Sequence, residues 1–317
     1  MMRRTTVGLL LTALLAGCGY SPTPVPPPSA APSASPPPPA APVVCDNPLA
    51  SYRPLARQPK PGQMPTGSTM ADIHKRGRLI AGVSADTYLL AARNPLTGKI
   101  EGFDIDMVKA VAKAIFGDEN RYQLRVITAA DRIPLLKSKQ VDIVARNMTM
   151  NCARWVDIEF SAEYYRSGQK LLVRRGSGIK SIADTRGQRV CAPSGTTSWD
   201  NLKKLAPQAI AVSAPNHTGC LVRFQQGAVD AITGDDTVLA GLAAQDPYAD
   251  VLQGKPLTAE PYGIGVPKGE RDMVRFINGV LDEIRRNGDW QRSYDRWLAP
   301  TLGKGSGQPK PDYGRQP

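Results

Sequence analysis

A short polar turn ahead of a predicted helix is the segment best suited to hold a small anion. Residues 194–198 read Ser-Gly-Thr-Thr-Ser, and residues 199–205 have the apolar spacing of a helix. The first N–H groups of a helix have no partner within it, and the helix dipole makes that end positive. Thr196, Thr197 and Ser198 are therefore placed where a carboxylate can bind.

Five cysteines offer a second kind of chemistry. Cys18 belongs to an N-terminal targeting segment. Four cysteines remain in the rest of the chain: Cys45, Cys152, Cys191 and Cys220. An even number in an exported domain predicts two disulfides, with three possible pairings. We favour Cys191–Cys220 with Cys45–Cys152, because the first pair lies within one predicted lobe. A disulfide that closes a loop of ~30 residues, as Cys191–Cys220 would, contributes roughly 3–4 kcal/mol to stability.

Metal chemistry is the alternative use of these side chains, and the spacing argues against it. The chain has 2 His, His74 and His217, and its cysteines have no CxxC spacing. We predict that the chain holds neither a metal nor a cofactor.

The elements that must position these residues alternate between strands and helices. Apolar runs predict strands at 79–83, 122–127, 141–145, 169–174, 188–191 and 228–233. Amphipathic spacing predicts helices from Phe103 to a stop at Gly117 and at 133–137, 199–205, 238–245 and 273–290. The order predicts an α/β protein with two sheets. Trp290, Tyr294 and Trp297, at near-helical spacing, are interpreted as packing residues.

The N-terminus predicts export. Arg3 and Arg4 precede an apolar run at 7–15, which is shorter than the ~18–20 residues that span a bilayer, so residues 1–17 are interpreted as a signal peptide. Leu-Ala-Gly-Cys at 15–18 resembles the lipobox of bacterial lipoproteins. That resemblance implies a lipid on Cys18 and attachment to the extracytoplasmic face of the cell membrane; a secretory signal with a chance cysteine is the alternative.

Composition separates the chain ends from the folded part. Residues 21–42 contain only Pro, Ser, Thr, Ala and Val, and 11 of these 22 residues are Pro, which predicts an extended tether over 18–44. Residues 301–317 are poor in apolar side chains and are predicted to be a flexible tail. The formal charge of +12 suggests a polyanionic partner, but export argues against nucleic acid.

Five segments follow one another in a distinctive order. They are Gly-Phe-Asp-Ile-Asp at 102–106, Val-Asp-Ile-Val-Ala-Arg-Asn-Met-Thr-Met-Asn-Cys-Ala-Arg at 141–154, Asp-Ile-Glu-Phe-Ser at 157–161 with Tyr164 and Tyr165, the turn at 194–198, and Asp-Ala-Ile-Thr-Gly-Asp-Asp at 230–236. Together they resemble the bacterial extracellular solute-binding proteins of family 3, the polar amino-acid receptors of ABC importers, over about 78–298. Residues 127–136 and Asn216-His217 are most similar to the glutamate/aspartate receptors.

The resemblance implies a periplasmic-binding-protein-like type II fold. Two α/β lobes are joined by a two-strand hinge, and the ligand lies in the cleft between them. Lobe I would comprise residues 45–164 and 260–300, and lobe II residues 165–259.

The resemblance also implies roles for the residues that would hold an amino acid. By position, Arg154 matches the arginine that pairs with the α-carboxylate, which suits a planar guanidinium. Asp235 matches the carboxylate that takes the α-ammonium, and Asn147 and Thr149 match its neighbours. Asp236 is the alternative for Asp235.

Two more positions bear on the ligand's side chain. Arg132 and His217 match residues near the distal carboxylate of acidic ligands, which favours aspartate or glutamate. The acidic-ligand receptors carry another Arg after the first strand, but this chain has Val-Ser-Ala-Asp at 83–86, so asparagine and glutamine are expected as well. Arg146 and Asp142 are interpreted as structural or exposed.

The predicted function is a lipid-anchored, monomeric receptor and not an enzyme. It would bind an acidic or polar amino acid and deliver it to an ABC permease and its ATPase by lobe closure. One alternative is a sensor that presents the amino acid to a membrane signalling partner. The other is an enzyme similar to the cyclohexadienyl dehydratases, which share the fold.

Overall fold

The computed structural model of the chain describes residues 45–316. The predicted signal peptide, Cys18 and the tether at 18–44 lie outside the described residues. Within the described range, no helix is both long enough and apolar enough to cross a membrane.

Strands and helices alternate as the sequence predicts. The strands are β1 (Ala50–Tyr52), β2 (Leu79–Val83), β3 (Asp86–Thr87), β4 (Ala91–Arg93), β5 (Ile100–Glu101), β6 (Tyr122–Val126), β7 (Ile143–Val144), β8 (Ile158–Phe160), β9 (Tyr165–Arg174), β10 (Arg189–Pro193), β11 (Ile210–Ala214), β12 (Ala231–Asp235), β13 (Ala249–Val251), β14 (Ala259–Tyr262), β15 (Gly265–Pro267) and β16 (Asp312–Arg315). The helices are α1 (Thr69–Arg76), α2 (Phe103–Phe116), α3 (Arg132–Lys137), α4 (Cys152–Asp157), α5 (Thr197–Leu205), α6 (His217–Gln225), α7 (Asp236–Ala243), α8 (Arg271–Arg286), α9 (Asp289–Trp297) and α10 (Ala299–Leu302).

Lobe I is built on a five-stranded sheet with the order β6-β2-β7-β15-β8. The parallel strand β2 lies between β6 and β7, and β15 runs antiparallel to its neighbours. The apolar faces of α2 and α8 are buried against each other and the sheet, with Phe103 and Phe276 fully inside. Burial of such side chains drives the packing of this lobe.

Lobe II is built on a second sheet with the order β11-β10-β12-β9-β13. The helices α5, α6 and α7 pack against it, and apolar side chains form two separate clusters. A disulfide between Cys191 of β10 and Cys220 of α6 crosses one of these clusters.

Two antiparallel strands connect the lobes. The ten-residue strand β9 pairs with β14, from Tyr165 opposite Tyr262 to Gly168 opposite Ala259. Two α/β lobes joined by a two-strand hinge confirm the predicted fold class.

The second disulfide joins Cys45 to Cys152 at the start of α4. Both disulfides are therefore the pairs favoured from the sequence. This one holds the beginning of the described chain against lobe I.

The long helix predicted over 273–290 is wrong in its extent. It is divided into α8 and α9, because Gly288 adopts a φ of 79°, in the left-handed region that interrupts a helix. The strand β11 and the helix α6 were missed, since their short apolar runs carry weak periodicity.

The C-terminal segment also differs from the predicted flexible tail. β16 pairs in parallel with β1, and the guanidinium of Arg315 lies 3.7 Å from the centre of the Trp155 ring. Gln308 and Arg285 make further bonds between the segment and α8. The prediction from composition was wrong because it weighed apolar burial, whereas strand pairing and polar side chains hold this segment.

Arg315→Ala tests how the tail is held. It removes the contact with Trp155 and the bond from Nε to the carbonyl of Ala50. We expect the free energy of unfolding, measured with urea, to fall by about 1 kcal/mol. Lys310→Ala, at an exposed cation of the same tail, should change it by less than about 0.5 kcal/mol; equal losses would contradict this account.

Candidate functional site

A small polar cavity with a free volume of about 10 Å³ lies in the cleft between the lobes. Its lining includes every ligand-binding residue predicted from the sequence except Arg154: Arg132, Asn147, Thr149, Thr196, Thr197, Ser198, His217 and Asp235. Both lobes contribute, so closure completes the cavity.

The cavity contains acceptor oxygens that no donor within residues 45–316 reaches. Asp235, the last residue of β12, is buried and accepts a bond on Oδ2 from the Tyr262 hydroxyl at 2.7 Å. Its Oδ1 is buried without a partner, and so is Oδ1 of Asn147. Such atoms are costly unless a donor reaches them. They can accept the N–H groups of a cation.

The Asn147 acceptor is held by strained backbone. Asn147 has a φ of 36°, which few residues other than glycine adopt. Its N–H donates to Oδ2 of Asp104, whose Oδ1 accepts from the Tyr164 hydroxyl. Asp104, in the first turn of α2, is buried, and burial raises its pKa to about 6. The motif at 102–106 thus helps to position Asn147 through the carboxylate of Asp104.

The two adjacent carboxylates after β12 point in different directions. Asp235 lines the cavity. Asp236 accepts on Oδ1 from the Ser167 hydroxyl at 2.5 Å and from the N–H of Thr237 at 2.7 Å, so it serves the start of α7. Asp235 is therefore the carboxylate available to a ligand.

The electrostatics of Asp235 make it sensitive to pH near neutrality. Its pKa is raised to about 7, chiefly by burial and next by the negative charge of Glu260. The bond from Tyr262 and the charge of Arg132 act in the opposite direction. A cation in the cavity would favour the charged form.

Lobe II supplies a helix start to the same cavity. Thr196 caps α5, because its hydroxyl oxygen accepts from the N–H of Trp199 at 3.1 Å. The helix begins at Thr197, and Thr197 and Ser198 line the cavity in its first turn. This end of a helix favours a negative group.

Two guanidinium groups of lobe I reach the same carbonyl of lobe II. Nη2 of Arg132 lies 3.0 Å from the Gly195 oxygen, and Nη2 of Arg154 lies 3.5 Å from it. Burial lowers the pKa of both arginines. Arg154 also donates to the carbonyl of Thr149 at 2.7 Å and does not line the cavity. Two cations therefore converge on one acceptor oxygen.

Arg132 is occupied more fully than the sequence indicates. It donates from Nε to the carbonyl of Ala129 and from Nη1 to the carbonyls of Arg146 and Asn147. Arg146 is itself buried and donates from Nε to the carbonyl of Ile127. Arg132 thus holds the site loops together in addition to lining the cavity.

His217, the first residue of α6, contributes a neutral ring. Burial lowers its pKa to about 4, and the charge of Arg146 acts in the same direction. Its Nε2 lies 3.3 Å from the carbonyl of Thr233. Because a carbonyl only accepts, Nε2 carries the proton and Nδ1 is left as an acceptor. His217 therefore adds no positive charge at neutral pH.

The sequence reading missed Glu260 and Tyr262 in the hinge strand β14. The Glu260 side chain is buried and accepts from the hydroxyls of Thr149 and Thr197, and Tyr262 orients Asp235. A signal was present, since Glu260 is the charged residue next to a mostly apolar run at 261–267. A carboxylate is rarely buried in such a strand unless it is bonded.

The lobes touch at positions that only small residues allow. A Cβ on Gly195, which has a φ of 71°, would lie 2.8 Å from Cα of Ala130 in lobe I. The Thr218 hydroxyl of lobe II donates to the carbonyl of Asp86 at 3.0 Å. The structure is therefore a closed arrangement of the two lobes.

No group of three or more His, Cys, Asp or Glu within residues 45–316 is arranged to hold a metal ion. The polar groups of the cleft instead fit a small zwitterion. Its positive group can meet the acceptors of Asp235 and Asn147. Its negative group can meet the guanidinium groups of Arg132 and Arg154, which converge on the Gly195 carbonyl.

Comparison with known proteins agrees with this geometry. Residues 79–300 match the model of the bacterial extracellular solute-binding proteins, family 3. The glutamine-binding protein of Geobacillus stearothermophilus is 41% identical over 214 residues, which cover 67% of this chain and 81% of that protein. The ABC transporter glutamine-binding protein GlnH of Bacillus subtilis is 37% identical over 231 residues, covering 73% and 84%.

A solved structure extends the likeness to three dimensions. An ancestral arginine-binding protein bound to glutamine is 29% identical, with a TM-score of 0.66, and the match covers 72% of this chain and 99% of that chain.

Gly195→Ala tests whether the lobes close through Gly195. The added methyl would meet Ala130, so we expect a larger radius of gyration in small-angle X-ray scattering. Gly176→Ala is the matched control, because Gly176 has a φ of 74° and nothing within 4 Å of its Cβ position. Both variants carry about 1 kcal/mol of backbone strain. Only the first should open the cleft, and equal radii would contradict this prediction.

Proposed function

The chain belongs to the bacterial extracellular solute-binding proteins of family 3, and we propose that it binds L-glutamine between its lobes for delivery to an ABC importer. The observation that carries the proposal is the pair of unpartnered, buried acceptors, Oδ1 of Asp235 and Oδ1 of Asn147. They lie in a cavity that also holds Arg132 and the start of α5. That arrangement fits the two charges of a free amino acid.

The backbone end of the ligand accounts for most of the polar groups. Its ammonium binds Asp235 and Asn147. Their unpaired oxygens then accept hydrogen bonds, which offset the free-energy cost of burying them. Its carboxylate takes the place of the Gly195 carbonyl as the acceptor of Arg154 and Arg132, and meets the backbone N–H groups at the start of α5. Charge-assisted bonds of this kind are shorter and stronger than neutral ones.

The side-chain end favours an amide over a carboxylate. His217 is neutral and offers Nδ1 as an acceptor, which an amide N–H can satisfy. Arg132 donates most of its N–H groups to backbone carbonyls, so it has little left for a second carboxylate. The two relatives named as glutamine-binding proteins support the same choice.

Binding shifts the balance between open and closed lobes. The ligand touches both lobes, so it stabilises the closed form by contacts that the open form lacks. We place the lipid anchor on Cys18, from the lipobox-like residues 15–18. The closed receptor would then meet a permease at the extracytoplasmic face of the membrane.

Calorimetry on residues 45–317 with single amino acids tests the ligand. We expect glutamine to bind in the micromolar range, about −8 kcal/mol, and more tightly than glutamate, aspartate or asparagine. Tighter binding of glutamate would overturn the choice of amide. No heat with any of the four would overturn the proposed function.

The adjacent carboxylates provide a matched pair of variants for that measurement. Asp235→Asn removes the charge that faces the ammonium and should weaken glutamine binding at least tenfold, as expected for a charge-assisted bond. Asp236→Asn changes a carboxylate that serves the start of α7, and should leave affinity within about threefold. Similar losses in both would count against the role of Asp235.

The raised pKa of Asp235 predicts a pH dependence. Only the ionised form attracts an ammonium, and that form is lost as the pH falls through about 7. Glutamine affinity should therefore decline toward roughly tenfold per pH unit below that value. His217, with its pKa at about 4, stays neutral between pH 5 and 8. Affinity that is flat over this range, measured by calorimetry, would contradict the prediction.

A further inference from the structure

The Glu260 carboxylate lies where the hinge meets both lobes. Its Oε2 accepts from the Thr149 hydroxyl of lobe I at 2.7 Å and from the Thr197 hydroxyl of lobe II at 2.6 Å. Its Oε1 accepts from the Thr258 hydroxyl at 2.6 Å and from Nδ2 of Asn201 at 3.2 Å. The side chain is 1% exposed. Four donors therefore converge on one buried anion.

The direction of these bonds decides what the two threonines can offer a ligand. A hydroxyl has one proton, and once that proton is donated only lone pairs remain. The Thr149 and Thr197 oxygens lie 3.3 Å apart, because both turn toward the same oxygen of Glu260. Neither hydroxyl therefore has a proton left for a ligand, and each can only accept.

We propose that Glu260 is a positioning residue that fixes Thr149 and Thr197 as acceptors and so selects a ligand with a free ammonium. Thr149 and Thr197 line the cavity together with the unpartnered oxygens of Asp235 and Asn147. The ammonium therefore meets several acceptors at once. The inference deepens the proposed function and rests on it, since it requires a ligand that carries an ammonium.

The charge of Glu260 acts on the same end of the cavity. The charged and titratable groups that interact with Asp235 come from several elements: Glu260 and Tyr262 from β14, Asp236 from α7, Arg132 from α3, Arg154 from α4 and Tyr164 from the segment before β9. Glu260 is the largest charged contributor and opposes ionisation of Asp235. Removing its charge therefore lowers the pKa of Asp235.

Glu260→Gln separates positioning from mere stability. It keeps the size of the side chain, removes the charge and supplies an N–H that competes for the hydroxyl oxygens. We expect glutamine affinity at pH 8 to fall by about tenfold or more. The decline of affinity on acidification should also begin at a lower pH than in the unmodified chain.

Glu159→Gln is the matched control. Glu159 is a fully buried carboxylate in β8 that accepts from the Tyr52 hydroxyl and does not line the cavity. We expect it to lower the melting temperature while leaving glutamine affinity and its pH profile unchanged. Equal effects of both variants on affinity would overturn the inference.

A double-mutant cycle tests the route of the effect. Thr149→Val removes the hydroxyl that Glu260 orients, so its loss of affinity and that of Glu260→Gln should not add. Additive losses, or unchanged affinity in Glu260→Gln, would overturn the inference and leave the proposed function intact. Failure of the unmodified chain to bind any amino acid would overturn both.

If Glu260→Gln does not fold, Thr197→Val and Thr149→Val carry the test. Each removes one oriented acceptor without touching the carboxylate. Both should weaken glutamine binding, and affinity unchanged in both would overturn the inference.

Discussion

The structure depends on one costly arrangement: the buried carboxylate of Asp235 has an oxygen that no donor within residues 45–316 reaches. An unpaired acceptor in a dry site is unfavourable by about 1–3 kcal/mol. A fold keeps such a group when something outside the chain completes it. Two lobes on a two-strand hinge allow the acceptor to be hydrated when open and bonded to a ligand when closed. The two-lobe fold thus allows a charge to be buried reversibly.

The cleft contains both buried positive and buried negative groups. The buried cations Arg132 and Arg154 lie near the buried carboxylates Asp235 and Glu260, and these charges influence the ionisation of Arg154 and Asp235. Replacing water around any of these groups is expensive. The bonds to backbone carbonyls and threonine hydroxyls offset part of that cost and also fix the direction in which each group can bond.

The two-lobe fold and most cavity residues could be predicted because five segments, among them those at 102–106 and 194–198, resemble a known family in their order. Both disulfide pairs could be predicted from the even number of cysteines and their positions in the predicted lobes. The charge and the hydrogen-bond partners of the cavity residues could not be predicted. The neutral ring of His217 follows from burial, and the occupied guanidinium of Arg132 follows from carbonyls of loops far apart in sequence. Glu260 escaped notice because its partners come from both lobes, and the docked tail because strand pairing leaves little trace in composition.

The contacts of α4 also have a mechanical consequence. This helix carries Arg154, and it is joined to Cys45 by a disulfide, to the carbonyl of Pro48 through Trp155, and to the C-terminal strand through Arg315. Both ends of the described chain are therefore fastened to lobe I. A pull on the chain ahead of Cys45 is transmitted to lobe I and bypasses β9 and β14.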